Sequence, residues 1–148
     1  FMPTGWRPSD VQEKYPLNKI EDPYSQIKYK TNNSFGQLTW TWVQFGVANL
    51  LMLHLFLVLD HNITFMIYMY AIFILIHIFS FTAMLDNKYY SIIADLLKVC
   101  LGVYIIYLQN FSWYGLSEFF SILFITYFII SLFTTSYFYN NSLQNNYL

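Results

Sequence analysis

The sequence predicts an all-α integral membrane protein, a four-span antiparallel transmembrane helix bundle preceded by a short soluble segment. Of its 148 residues, 57% are hydrophobic, 22% are aromatic and only 10% are charged, whereas about 25% of the residues in a soluble domain are charged. Four apolar segments each reach the roughly 20 residues that a helix needs to cross a hydrocarbon core of about 30 Å. The connections between them are short, which makes consecutive helices antiparallel neighbours.

Charge and cysteine content exclude two classes of function. The net charge is -1, and no basic stripe exists that would bind a nucleic acid, so no nucleic-acid partner is expected. The single cysteine, Cys100, lies in an apolar run. One cysteine builds neither a disulfide framework nor a thiolate metal site, so Cys100 is interpreted as a small buried hydrophobic residue.

Residues 1–34 are predicted to be a cytoplasmic connector that leads into the membrane domain at 35–148. Ser9 followed by Gln12 fits a capping box, and Pro16 ends the short helix that this box begins. From Leu17 to Ser34 the turn residues of NKIEDPY and NNS indicate an extended chain. This segment has too few apolar residues for a core of its own.

The four spans follow in order, with aromatic residues near their ends. They are predicted at roughly Leu38–Leu59, Ile63–Leu85, Tyr89–Gln109 and Phe119–Phe138. Amphipathic rings near span ends favour the headgroup level of a bilayer. Headgroup positions are therefore predicted for Trp40, Trp42, Trp113, Tyr137 and Tyr139.

The basic residues predict the orientation. Five of them precede the first span and Lys88 lies in the second loop, while the first loop, the third loop and the tail have none. Basic residues concentrate on the cytoplasmic side of membrane proteins. The N-terminal segment, the second loop and the C-terminus are therefore predicted to be cytoplasmic.

An intramembrane polar cluster is predicted from Gln44, His77, Asp95 and Lys98. Asp95 and Lys98 are three residues apart and so share one face of a helix, where they can pair. At 1.5 Å per residue, Asp95 and Gln44 lie roughly 9 Å and His77 roughly 12 Å from the cytoplasmic end of their spans. Ser91, Gly102 and Gln109 lie on the same face of the third span as Asp95 and Lys98. Ser131 and Thr135 of the fourth span lie in the same half of the membrane.

Two interpretations of this cluster stay open. Polar side chains between transmembrane helices form hydrogen bonds that hold a bundle together. Ionisable side chains at this depth also handle substrates or protons. Sequence alone does not separate the two.

No catalytic site and no metal site are predicted within this chain. His54, His61 and His77 are separated by seven and sixteen residues. His54 and His61 belong to the outer half of the membrane domain and His77 to the inner half, so the three are not expected to converge on one ion. A G-x-S-x-G elbow and a Gly-rich phosphate loop are also absent from the sequence.

The order of several motifs resembles the C-terminal membrane region of alkylglycerol monooxygenase-like proteins in the fatty acid hydroxylase and sterol desaturase superfamily. The motifs are PTGWRPSDV, then WVQFGVANLLML with Gln44 and Phe45, then FTAMLDNKYYSIIADLLKVCLGVYIIYL with Asp95 and Lys98. Nearly the whole chain takes part in this resemblance. The GWRP start and the ordered set of four spans are its most specific parts.

The resemblance implies that this chain is the C-terminal membrane anchor of an iron-dependent lipid hydroxylase or monooxygenase. In that family, clustered histidine boxes hold two irons, and none of those boxes occurs here. The resemblance therefore implies a di-iron cofactor for a parent protein, with none bound by this fragment, and its partners would be membrane lipid and an upstream catalytic domain of the same chain. The alternative is a small non-enzymatic membrane protein, a transporter or assembly subunit, that uses the Asp95 and Lys98 pair.

Overall fold

The computed structural model describes residues 7–16, 24, 31, 33–59 and 65–146, with the backbone alone at 143–146. Five helices are formed in this part of the chain: α1 (Ser9–Lys14), α2 (Phe35–Val58), α3 (Phe65–Leu85), α4 (Tyr90–Leu108) and α5 (Glu118–Asn146). The chain divides into two compact units, residues 1–30 and 31–148. The four long helices belong to the second unit.

The predicted four-span helical architecture is confirmed. Helices α2 to α5 are each long and apolar enough to cross a membrane, with mean hydropathy between 1.6 and 2.0 over their most apolar windows. Helix α3 packs against both α2 and α4, and α5 packs mainly against α4. The first predicted loop and Ile63, the predicted start of the second span, lie outside the described residues.

The short helix α1 forms, but the predicted capping box is wrong. The N-cap is Pro8, and within residues 7–16 no side chain caps the helix. Instead, the Pro8 carbonyl accepts hydrogen bonds from the backbone N–H groups of Val11 and Gln12 at 3.1 and 3.0 Å. Proline fixes its own φ at a value suited to the residue before a helix, so the helix begins one residue earlier than the Ser9 pattern predicts.

Helix α2 has the side-chain cap that α1 lacks. Ser34 is its N-cap, and the Ser34 hydroxyl accepts from the Gln37 N–H at 3.2 Å. The Gln37 side chain is buried and donates to the Met84 carbonyl at 2.8 Å and to Asn87 Oδ1 at 3.0 Å. Asn87 in turn donates to Asn33. This amide network joins the start of α2 to the connection between α3 and α4.

Helix α3 ends in a Schellman motif. Asn87 has φ of 53°, a left-handed conformation that asparagine tolerates better than most residues. The N–H of Lys88 donates to the Ala83 carbonyl and that of Asn87 to the Met84 carbonyl. These bonds satisfy the last carbonyls of α3 and reverse the chain into α4 within four residues.

The connection between α4 and α5 is an ordered reversal. Tyr114 and Gly115 have φ of 47° and 86°, and the Leu116 N–H donates to the Trp113 carbonyl at 2.9 Å. Positive φ at both central residues is the mark of a type I′ turn. The Tyr114 hydroxyl donates to the Met66 carbonyl, and its ring stacks on Tyr70 with centroids 4.5 Å apart. Burial raises the pKa of Tyr114, because a phenolate would be poorly solvated there.

The headgroup position predicted for Trp113 is wrong. This side chain is fully buried and packs edge-on against Phe73 and Tyr70, with centroids 5.1 and 5.4 Å away. The turn at Tyr114 and Gly115 brings the indole back between the helices, and sequence position alone does not show this. Among the other aromatic residues predicted at the span ends, Trp42 and Tyr137 are exposed, and Trp40 and Tyr139 are half-buried.

Gly102 allows aromatic rings from α3 and α5 to pack directly against the backbone of α4. A Cβ added to Gly102 would overlap the ring of Phe128 and lie 3.0 Å from that of Phe73. Both rings are buried in the core cluster around Trp113. Small residues at helix interfaces permit this kind of contact in membrane bundles.

Gly102→Ala is expected to lower the free energy of unfolding by about 1 to 3 kcal/mol, the usual effect of overpacking a filled core. Gly46 is the matched control, because a Cβ there meets nothing within 4 Å, and Gly46→Ala should be neutral or stabilising by about 0.5 to 1 kcal/mol. Unfolding titrations of both variants in mixed micelles measure the difference. Equal effects at the two glycines would contradict the packing described for Gly102.

Candidate functional site

An ion pair between Asp95 and Lys98 lies inside the bundle. Both side chains come from α4 and both are fully buried, and Lys98 Nζ donates to Asp95 Oδ1. The three-residue spacing places them on one helix face. The Lys98 ammonium stays with its partner and does not extend towards a membrane surface.

Two serines from neighbouring helices complete this pair. Ser80 on α3 donates to Asp95 Oδ1 at 2.9 Å, and Ser131 on α5 donates to the same oxygen at 3.0 Å. Lys98 Nζ also donates to Ser131 Oγ at 2.7 Å. The Asp95 carboxylate thus ties three helices together through one oxygen, and a charged acceptor makes each of these hydrogen bonds stronger than a neutral one.

His77 connects α3 to α2 at the same level. Its Nε2 lies 3.0 Å from the backbone carbonyl oxygen of Gln44, so Nε2 carries the proton that is donated. Both residues are fully buried. Gln44 therefore takes part through its backbone, and its side-chain amide has no hydrogen-bond partner in the described part of the chain.

Aromatic contacts surround the pair. Lys98 Nζ lies 5.4 Å from the centroid of the Tyr127 ring, within the range of a cation–π interaction. The Tyr127 ring is 6.1 Å from that of His77, and Thr135 on α5 lies 4.0 Å from the Met84 sulfur. Tyr127 was not among the residues predicted for this cluster.

Several polar atoms in this layer have no partner among the described residues, although they are buried. They are Asp95 Oδ2, His77 Nδ1, both amide atoms of Gln44, and the Tyr127 hydroxyl. Buried polar groups without partners are costly, and ordered water commonly satisfies them. The arrangement can therefore do two things chemically: hold four helices in register, and bind water or a proton beside a carboxylate.

The residues that the sequence singles out differ in their surroundings, and the burial predicted for Cys100 is wrong, because this side chain is exposed on α4. Asp95, Lys98, His77 and Ser131 lie together in one hydrogen-bonded or aromatic cluster. Ser91 is buried without a partner in the residues described, and Gln109 serves the α4–α5 connection, where its side chain accepts from the Tyr114 N–H at 2.7 Å.

The sequence did not predict the buried hydrogen bonds that Ser80 and Gln37 make. An apolar span with one serine, such as IFSF in α3, gives only a weak signal. Gln37 follows Ser34 in a capping-box spacing that indicates its place at the start of α2.

The remaining histidines lie elsewhere. His54 Nδ1 pairs with the Tyr70 hydroxyl at 3.0 Å, ten residues after Gln44 on α2 and seven residues before His77 on α3. His61 lies outside the described residues. Across residues 7–16, 33–59 and 65–142, no three histidine, cysteine, aspartate or glutamate side chains converge as a metal site would require.

Comparison with known proteins found no matching family model, no matching curated protein and no matching solved structure.

Proposed function

We propose that this chain is the C-terminal membrane-anchoring domain of an iron-dependent lipid hydroxylase or monooxygenase of the fatty acid hydroxylase and sterol desaturase type. The observation that carries the anchoring role is the enclosure of the Asp95 and Lys98 pair. Both side chains have zero exposure, and their hydrogen bonds run to α3 and α5. A charge pair so enclosed fixes the arrangement of helices. The lipid-oxidising part of the proposal rests on the order of motifs in the sequence.

The described residues do not fit a di-iron centre. Such a centre needs several histidine or carboxylate ligands around each metal, and His54 and His77 are each engaged with a separate partner. On this proposal the chemistry is supplied by a catalytic domain that precedes Phe1 in the same polypeptide. No chemical step is assigned to iron within this chain.

Metal analysis tests this division of roles. The purified chain from Phe1 to Leu148 is expected to insert into membranes and to bind no stoichiometric iron, because it lacks convergent ligands. Two irons per chain would overturn the proposal. The coding sequence before Phe1 gives an independent test, since histidine boxes there support a catalytic domain and a start codon at Met2 contradicts one.

The orientation is also proposed, with the N-terminal segment, the second loop and the C-terminus in the cytoplasm. The support is the concentration of basic residues before the first span together with Lys88. In a Cys100→Ser background, cysteines introduced at Asn62 and at Lys88 should be labelled from opposite sides of the membrane. Labelling of both from the same side would contradict a four-span arrangement.

A proton- or ion-translocating membrane protein is the second candidate. The unpartnered atoms of Asp95, His77 and Tyr127 favour it, because a chain of such groups with bound water conducts protons in membrane proteins. Vesicles that contain the purified chain and a pH-sensitive dye test this candidate. Proton flux that is present in the wild type and lost in the double variant Asp95→Asn with Lys98→Met, with its helices intact, would support it over simple anchoring.

A further inference from the structure

One side-chain amide lies on the outer surface of the bundle near the middle of a span. Asn49 on α2 is exposed, and at 1.5 Å per residue it lies roughly 4 Å from the midpoint of Phe35–Val58. The amide side chains of Gln37 and Gln44 on the same helix are buried. A polar group on the outer surface at this depth is costly, because hydrocarbon offers it no hydrogen-bond partner.

The Asn49 amide is only partly satisfied within its own helix. Its Nδ2 donates to the Phe45 carbonyl at 2.7 Å. A carboxamide has two N–H donors and a carbonyl acceptor, so one N–H and Oδ1 remain without a partner among the described residues. The exposed threonines of the spans have no donor left over, because the single hydroxyl proton of each goes to a backbone carbonyl of its own helix. They are Thr39, Thr82, Thr126 and Thr134.

Asn49 lies within a stripe of exposed apolar side chains on one face of α2. Phe45 is four residues before it and Met52 three residues after it, and both are exposed. Phe56 continues the stripe four residues further on. This alternation of three and four residues is the spacing of the a and d positions in paired helices. We call these four residues the α2 stripe, and the residues that α2 buries belong to a different face of the helix.

A second copy of this chain matches the α2 stripe. Two copies insert in the same orientation, so a two-fold axis along the membrane normal places each Asn49 at the depth of its counterpart. The amide is self-complementary, since Oδ1 of one copy can accept from the remaining N–H of the other. Helix α2 contains no aspartate, glutamate, lysine or arginine, so parallel pairing brings no like charges together. A single asparagine at an a position also fixes the register and the number of helices in such a pair.

We propose that this chain forms a parallel two-fold dimer through the α2 stripe, with a hydrogen bond between the two Asn49 amides at its centre. Hydrogen bonds between polar side chains hold transmembrane helices together. The dimer gives the exposed amide the partner that its own bundle lacks. This inference goes beyond the proposed anchoring role and does not depend on an enzymatic parent, because it uses only residues of α2.

Disulfide cross-linking tests the geometry of the dimer. In a Cys100→Ser background, Phe45→Cys and Val43→Cys are compared in phosphatidylcholine vesicles that contain the full chain. The two positions are matched, since Phe45 is 48% and Val43 46% exposed, but Val43 lies on another face, beside Tyr127 and Ile130 of α5. A disulfide forms only between side chains that face each other closely. Oxidation should therefore link the Phe45→Cys chains into dimers and leave the Val43→Cys chains as monomers.

Substitutions of Asn49 test the hydrogen bond at the centre of the dimer. Asn49→Leu should weaken dimerisation about 5- to 30-fold, the expected loss for a hydrogen bond between transmembrane helices. Asn49→Gln keeps the carboxamide and should dimerise nearly as well as the wild type. Sedimentation equilibrium of the full chain in density-matched micelles measures the three dissociation constants.

Three results would overturn the proposal: a monomeric wild type, equal cross-linking of the Phe45→Cys and Val43→Cys variants, or an Asn49→Leu dimer as stable as that of the wild type. The first result would leave the α2 stripe to a different protein. Circular dichroism confirms that each variant keeps its helices, and Asn49→Ala replaces Asn49→Leu if the latter does not insert. The iron analysis of the parent protein has no bearing on these outcomes.

Discussion

Asp95→Asn is expected to lower the free energy of unfolding of the bundle by about 3 to 5 kcal/mol, because it leaves the Lys98 charge buried and unpaired. Asparagine keeps the shape of the side chain and an oxygen for the hydroxyls of Ser80 and Ser131. The loss of stability therefore measures the effect of removing the charge and not an effect of side-chain packing. Lys98→Met should cost a similar amount for the converse reason. Unfolding titrations in mixed micelles measure both.

The double variant Asp95→Asn with Lys98→Met is expected to recover most of this loss. Replacing both members of a buried ion pair removes the unpaired charge and leaves groups of similar volume, which is often nearly neutral. Strong non-additivity would show that the two side chains act as a unit. Asp86→Asn is the control, since Asp86 is exposed in the turn after α3 and should change stability by less than about 0.5 kcal/mol.

The same variants separate a structural role for the pair from a working role. Additive losses in the single variants would contradict a direct interaction between Asp95 and Lys98. A double variant that is stable but has lost proton flux, or lipid oxidation in the whole protein, would assign the pair to function. A double variant that is stable and active would assign it to holding α3, α4 and α5 together.

Trp113→Ala is expected to lower the free energy of unfolding by about 2 to 4 kcal/mol. The indole is fully buried against Tyr70, Phe73 and Phe124, and its removal leaves a cavity that these rings do not fill. The effect falls below that of a similar deletion in a soluble core, because lipid solvates apolar groups in the reference state. Thermal unfolding in detergent, followed by aromatic circular dichroism, measures it.

Trp42→Ala is the control for this prediction. Trp42 is 71% exposed on α2, so its truncation removes few contacts and should change stability by less than about 0.5 kcal/mol. A loss at Trp42 equal to that at Trp113 would contradict the burial of Trp113. It would instead agree with headgroup anchoring for both indoles.

The sequence alone determined the number and the approximate limits of the spans. The reason is physical: in hydrocarbon every backbone N–H and C=O of a spanning segment must form a hydrogen bond within that segment. An apolar run of about 20 residues therefore crosses the membrane as an α-helix. The pairing of Asp95 with Lys98 was also predictable, since both lie on α4 and helix geometry fixes their relative direction. These are properties of single helices.

Relations between helices were decided only by the tertiary structure. The rotation of α3 and α5 brings Ser80 and Ser131 to Asp95, and the contact with His77 engages the backbone of Gln44 instead of its amide. The left-handed turn after Trp113 folds its ring into the core, where a position near a span end predicts headgroup contact. These features depend on the rotation of each helix about its axis and on the backbone conformation of the connections. The spacing of residues along one helix does not determine either of them.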